Sequence, residues 1–448
     1  MSARRNEVLA GMNDRSASEQ GRDDQVQQQY EAYPYPARNP ADEAKRLITG
    51  SPSNLAEINH YLFGGRRDFT RPFRALVAGG GTGDATVMLA QQLADCGDAS
   101  VTGGEVTYFD LSQAARRIAE ARIEARGLKN VSFVTGSIEA LPELGLGPFD
   151  YIDCCGVLHH LADPAAGLAA LKAVLAGDGG IGLMVYGEYG RTGLYPLQAV
   201  LRSLTGDLPL DQRVVLARKL IAGLPATNWF RRNSLMTDHQ RSDAELVDLC
   251  LHARDRAYTV PQLVALVREA GLAITAMIEP LRYEPSVYLR DPLLLQRLRD
   301  KDPIARAAIA EIIAGNMRKH VAYLARPPEP NAVLATMRVA RPDGPDVVPL
   351  LRELDGDKLA EALRRDGRLK AELDGLSLTL TLPPLAPAIL SRVDGETTLA
   401  AIHEALRMVE PTLGWPGFKT QFDQVYGPLN GLNRMLLRCP GRVEIGKD

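Results

Sequence analysis

Long apolar runs, paired cysteines and an excess of charge are all missing from this 448-residue sequence. No window of about 18 apolar residues occurs, so no membrane span is expected, and the segment before Tyr30 has no apolar stretch of signal-peptide length. A cytoplasmic protein is expected. The five cysteines, Cys96, Cys154, Cys155, Cys250 and Cys439, form no C-x-x-C pair and are odd in number. That excludes a zinc ribbon and a disulfide framework, and no metal is expected. Fifty-two Lys plus Arg stand against 55 Asp plus Glu, a net charge of −3. Such a balance does not suit a chain whose task is to neutralise nucleic-acid phosphates or anionic lipid. Neither partner is expected.

What is present is an ordered series of elements. Residues 1–27 are polar and cannot offset their chain entropy by burial, so a mobile tail is expected. An arm or lid follows over 28–70, opened by YEAYPYPARNP, whose prolines favour a stiff extended segment displaying tyrosine rings. From Arg74 apolar runs alternate with helical periodicity: ALVAGGGTGDATVMLAQQLADCG, EVTYFDLS, VSFVTGS, FDYIDCCGV and IGLMVYG supply five strands. Ser112 and Asp163 are placed to cap helices, with Pro164 at the first helical position and Gly127 at a helix end.

Strand and helix units of this kind predict an α/β fold, a doubly wound, mostly parallel sheet that binds ligands at its C-terminal strand ends. After Tyr186 the alternation gives way to mainly helical sequence, a cap expected at about 191–256. It resumes with a helix capped by Thr259 and a sixth strand in AITAMIEPLRY; the last strand is either KHVAYLARP or ATMRVARP. This core spans 71–328, a proline-rich linker 329–347, and a small, mainly helical module 348–448. Residues 351–448 hold 13 Lys plus Arg and 14 Asp plus Glu, without the basic face of a DNA reader.

The turn Gly79, Gly80, Gly81, Thr82, Gly83, Asp84 sits where a strand ends and a helix begins, so backbone without Cβ can approach a ligand there. Neither reading of G-x-G-x-x-G fits, because Asp84 or Thr86 occupies the third small position. No Lys follows as a phosphate loop requires, and a carboxylate at Asp84 would repel pyrophosphate. A ligand with adenosine, no phosphate and a cationic centre is the better match.

With AGGGTGD, FDLS, VTGSIEALP, FDYIDCCGVLHHLADP and LAGDGGIGLMVYG in this order, the sequence resembles the class I S-adenosylmethionine-dependent methyltransferases, and within them a bacterial subfamily with a YPYP arm. The likeness implies a Rossmann-like sheet and S-adenosylmethionine as cofactor. It puts Gly79, Gly80, Gly81, Gly83 and Asp84 against the cofactor, Asp110 and Leu111 at its ribose, Ser137 and Ile138 beside its adenine, and Gly156 near its methionine part. Val77 and Ser137 depart from the family, which often has acidic residues at both positions. The C-terminal LPPLAPAILSRVDGETTL more faintly resembles the winged-helix modules of the peptide-binding PqqD type, which implies a peptide contact, with interdomain packing or a homodimer as the alternatives.

Methyl transfer is an in-line displacement that works largely by positioning, with a general base only where the acceptor has a proton to lose. His160, after the fourth strand, and Tyr33 of the arm are the catalytic candidates. Specificity in such folds comes from loops above a shared sheet. The substrate candidates are therefore Tyr30, Tyr33, Tyr186, Tyr189, Arg191, Asn228, Trp229, His239, His252, Arg254 and Tyr258. A polar small molecule or a protein side chain is the expected acceptor. A non-catalytic protein that binds S-adenosylmethionine and a partner is the alternative.

Overall fold

The computed structural model describes residues 24–96 and 103–439. Most of the tail expected to be mobile, residues 1–23, lies outside them. Residues 24–32 are helical, so order begins ahead of residue 28. Tertiary contact is the reason: Gln29 is buried and accepts the Ala253 amide at 3.3 Å.

The strands are β1 (Phe73–Ala78), β2 (Gly104–Asp110), β3 (Val131–Thr135), β4 (Phe149–Cys155), β5 (Leu175–Tyr186), β6 (Ala273–Ile278) and β7 (Lys319–Ala325). They form one seven-stranded sheet in the order β3-β2-β1-β4-β5-β7-β6. β1 runs parallel to β2 and β4, and β2 to β3, whereas β6 and β7 are antiparallel. The sheet is mixed α/β and mostly parallel, as the alternation predicts. Of the two candidates for the last strand it is KHVAYLA that pairs, and the other holds only a 3-10 turn, Thr336–Arg338. β5 begins well before IGLMVYG, at Leu175, because its glycine-rich start conceals an extended segment.

The expected caps form. Ser112 accepts from the Ala115 amide, Asp163 from Ala165 and Ala166, and Thr259 builds a reciprocal capping box with Gln262. Among the described residues no helix is long and apolar enough to cross a membrane.

The chain divides into two compact units. The first comprises the described residues within Met1–Thr49, Thr70–Ala176 and Met184–Tyr258. Its chain leaves β5 at Tyr186, builds the cap and comes back to that same strand end, where the Tyr258 amide bonds the Tyr186 carbonyl at 2.8 Å. The cap packs helices Leu194–Thr205 and Leu210–Gly223 around Leu197, Leu201, Phe230, Leu246 and Leu249. This excursion hangs the cap residues over the C-terminal end of β5.

The second unit comprises the described residues within Gly50–Phe69, Gly177–Leu183 and Thr259–Asp448. Helix Leu55–Leu62 belongs to it through buried polar bonds: Glu57 pairs with Arg352 at 2.8 Å, and Tyr61 donates to Asn433 at 3.0 Å. Within the C-terminal residues β8 (Val348–Leu351) pairs antiparallel with β11 (Met435–Arg438), and β9 (Arg368–Leu373) with β10 (Leu376–Thr381). Helices Leu399–Arg407 and Trp415–Gly431 close a core of Ile389, Leu399, Ile402, Phe418 and Phe422.

Candidate functional site

The glycine turn leaves β1 and is tied at once to β2. The amides of Gly79 and Gly80 both donate to the Phe109 carbonyl, at 2.8 and 3.0 Å. Gly79 has φ +78°, and a Cβ there would lie 2.2 Å from Val157 Cγ2, so no side chain fits. Gly81 donates its amide to Asp110 Oδ2 at 2.7 Å, and Ser112 donates to Oδ1 at 2.8 Å. Burial pushes the Asp110 carboxyl up while these amides favour its charged form. Each of its oxygens keeps a further lone pair for a hydroxyl of a ligand. Ile138 is buried at the start of the turn after β3, and the exposed Ser137 hydroxyl bonds Glu139 at 2.6 Å. Gly156, with φ +83°, ends β4 beside Met184. The β1, β2, β3 and β4 ends thus present a glycine-lined backbone, a half-buried carboxylate and an apolar wall, a donor set that fits adenosine and a methionine chain.

The tyrosine arm runs across this turn. The Tyr35 carbonyl accepts from Thr82 N at 3.3 Å, and Thr82 Oγ1 donates to the Pro36 carbonyl at 2.7 Å. Glu31 caps helix Gln113–Ala125 through the Gln113 amide at 2.5 Å. Asp84 is held by Arg38 at 2.6 Å and Arg122 at 2.7 Å. Burial opposes its ionisation, but these two guanidinium groups outweigh that and keep its carboxyl below the usual range. Its charge therefore fastens the arm. Arg122, buried, also bonds Glu43 at 2.7 Å.

Behind the arm lies a buried polar cluster centred on a residue that sequence reasoning missed, Asp248. It sits in the π-helical turn Val247–Leu251, which follows the short helix Asp243–Leu246. Tyr30 donates to its Oδ1 at 3.2 Å and Tyr186 to its Oδ2 at 3.1 Å. The Tyr30 hydroxyl also meets His252 Nε2 at 3.1 Å, and His252 Nδ1 accepts the Arg254 amide at 3.0 Å. His160 Nδ1 is 2.7 Å from the Arg254 carbonyl, which assigns the ring proton there, and its Nε2, buried, has no partner. Burial pushes the Asp248 carboxyl up and, with Asp248's own charge, the Tyr30 hydroxyl as well. Burial likewise holds His252 and His159 neutral. Alongside, Arg191 pairs with Asp255 at 3.0 Å and lies 3.6 Å over the Tyr186 ring.

Of the sequence candidates, Tyr30, Tyr186, Arg191, His160 and His252 therefore converge, with Arg254 contributing its backbone. The others have different surroundings. Tyr33 packs against the apolar core of the cap. Asn228 spends its side chain capping helix Trp229–Arg232, and Trp229 is 66% exposed. His239 packs on Phe230. Tyr189 accepts the Thr192 hydroxyl through its carbonyl, and Tyr258 is buried where the cap rejoins β5. Nothing in local periodicity marks the π-helical turn that aims Asp248 inward. The only available signal was its place in a helix whose apolar face should have excluded it.

Residues 76–181, the span from β1 into β5, match the family model described as a methyltransferase domain. An uncharacterized protein of Synechococcus sp. is 29% identical over 314 residues, 67% of this chain and 71% of that protein. The fold resembles that of PKMT2 from Rickettsia typhi, with a TM-score of 0.59 and 15% identity over 87% of this chain and 76% of that one. The PKMT2 structure in complex with AdoHcy gives 0.56 and 16% identity over 86% and 75%. Within these matched residues lie the turn after β1 and the β2 and β4 ends that form the site described above.

Proposed function

We propose that this chain is an S-adenosylmethionine-dependent methyltransferase that transfers a methyl group to a polar small molecule or a protein side chain. The hook of Gly81 N on Asp110 Oδ2 at 2.7 Å carries the reading, because it holds a carboxylate and a bare glycine backbone side by side at adjacent strand ends. The match over 76–181 and the AdoHcy bound by PKMT2 support it. When bound, S-adenosylmethionine supplies an electrophilic methyl on a sulfonium. Asp110 accepts the ribose hydroxyls, Ile138 covers the adenine, and the backbone at Gly79, Gly81 and Gly156 lines the methionine part. The tyrosine arm excludes water, and the Asp248 cluster holds the acceptor in line with the methyl, where positioning supplies most of the rate.

Calorimetry with S-adenosylmethionine and S-adenosylhomocysteine tests the reading, and failure to bind either refutes it. Asp110→Ala should weaken both by several-fold to about a hundredfold, since two ribose hydroxyls lose their acceptor. Label transfer from the methyl-labelled cofactor in cell extract distinguishes small-molecule from protein acceptors, and its complete absence favours a non-catalytic binding protein. We place the protein in the cytoplasm, without nucleic-acid or membrane partners, and assign the C-terminal module a peptide contact or a homodimer interface.

A further inference from the structure

We propose that Asp248 anchors a methyl acceptor whose reacting atom is an amine nitrogen, an inference that rests on the methyltransferase reading above. Buried carboxylates are ordinarily matched by a cation, since an unpaired charge away from water is costly. Asp248 is 4% exposed, yet both its bonds come from uncharged hydroxyls, those of Tyr30 and Tyr186. Among the described residues no Lys or Arg pairs with it. The nearby Arg191 is committed to Asp255. His252 uses Nδ1 on a backbone amide and Nε2 on Tyr30. No Lys or Arg side chain thus bonds the Asp248 carboxylate, which lies beside the arm that crosses the glycine turn.

An ammonium group supplies a cation and N–H donors together, and the ring of Tyr30 offers it aromatic surface. A carboxylate acceptor would be repelled, and a hydroxyl would leave the charge unmatched. The same geometry provides a proton route. A nitrogen of His160, a nitrogen of His252 and an oxygen of Asp248 lie within 4.8 Å of one another. His160 Nε2, free of any partner, takes one proton from the bound ammonium. The freed nitrogen lone pair then forms the new N–C bond as the C–S bond breaks with its electrons on sulfur. The methylated nitrogen keeps its positive charge against Asp248. A divalent ion would meet the same charge, but the His160 and His252 rings stack at 3.8 Å with 19° between their planes. In-plane lone pairs of nearly parallel rings run side by side and do not converge on one ion.

The test uses the full chain saturated with S-adenosylhomocysteine, titrated calorimetrically at neutral pH with n-butylammonium, n-butanol and n-butyrate. Ammonium should bind at least about tenfold more tightly than either analogue, and Asp248→Asn should erase that preference. The comparison among the three probes on the unaltered chain decides the matter even if the variant does not fold. Absent ammonium binding, equal binding of n-butanol or n-butyrate, or an unchanged preference in Asp248→Asn overturns the proposal. So does stoichiometric zinc binding that needs Asp248. A variant that loses S-adenosylmethionine but not S-adenosylhomocysteine affinity would assign Asp248 to the sulfonium instead. Failure to bind S-adenosylhomocysteine sinks the methyltransferase reading; binding it without an amine preference sinks only this inference.

Discussion

Two buried carboxylates, one in each compact unit, have opposite surroundings. Glu57, with no exposed surface, receives Arg352 at 2.8 Å, Ser51 at 2.9 Å and Tyr323 at 3.1 Å. Asp248, nearly as buried, receives two hydroxyls and no cation. Burial pushes both carboxyls up. The charge of Glu57 is matched within the fold, so its energetic role is to join helix Leu55–Leu62 to the C-terminal residues. Asp248 has no bonded cation, and a buried carboxylate in such surroundings beside the glycine turn is a candidate functional group. Burial alone does not separate a structural acid from a functional one. The partner inventory does.

The sharpest way to break this comparison is to remove the cation from the matched pair. Arg352→Ala should cost about 3–5 kcal/mol in denaturant unfolding, because it strands Glu57 without its counter-charge. A loss below about 1 kcal/mol would mean that Glu57 is no better matched than Asp248.

The next effect concerns His60, fully buried in the unit that holds Glu57, whose Nδ1 accepts the Leu437 amide at 3.0 Å. Burial lowers its pKa from 6.5 to about 4. The fold thus favours the neutral ring, so this contribution to stability is fully present above pH 6.5 and lost as pH falls from there to about 4. The difference amounts to roughly 3 kcal/mol at 1.36 kcal/mol per unit. His60→Gln should flatten that part of the stability profile, and an equally steep profile in the variant would remove His60 as its source.

The smallest stability change is expected at the unmatched acid itself. Asp248→Asn should alter unfolding free energy by no more than about 1 kcal/mol in either direction, since it removes a charge the fold does not compensate. A loss as large as that of Arg352→Ala would make Asp248 a structural acid.

Much of the first unit was legible from the chain. Its strands read as apolar runs, and Ser112 and Asp163 announced their helices, because caps act on amides two or three residues away. The glycine turn and Asp110 were legible for the same local reason: a strand end, a backbone that must admit positive φ, and an acid at the next strand end. The ion pairs of Asp84 were not legible, because its partners Arg38 and Arg122 come from segments far along the chain. The arm's tyrosines were singled out as a set, yet only tertiary contact separates Tyr30, on Asp248, from Tyr33, on the cap core.

By itself, then, the sequence determined the alternation of strands and helices, the glycine turn and the near-neutral surface, all of which depend on spacing along the chain and on composition. Tertiary structure alone decided that Tyr30, His160, Tyr186, Asp248 and His252 share one buried cluster. A carboxylate's charge is matched or unmatched according to what folding brings within a few ångströms of it, and no spacing along the chain encodes that.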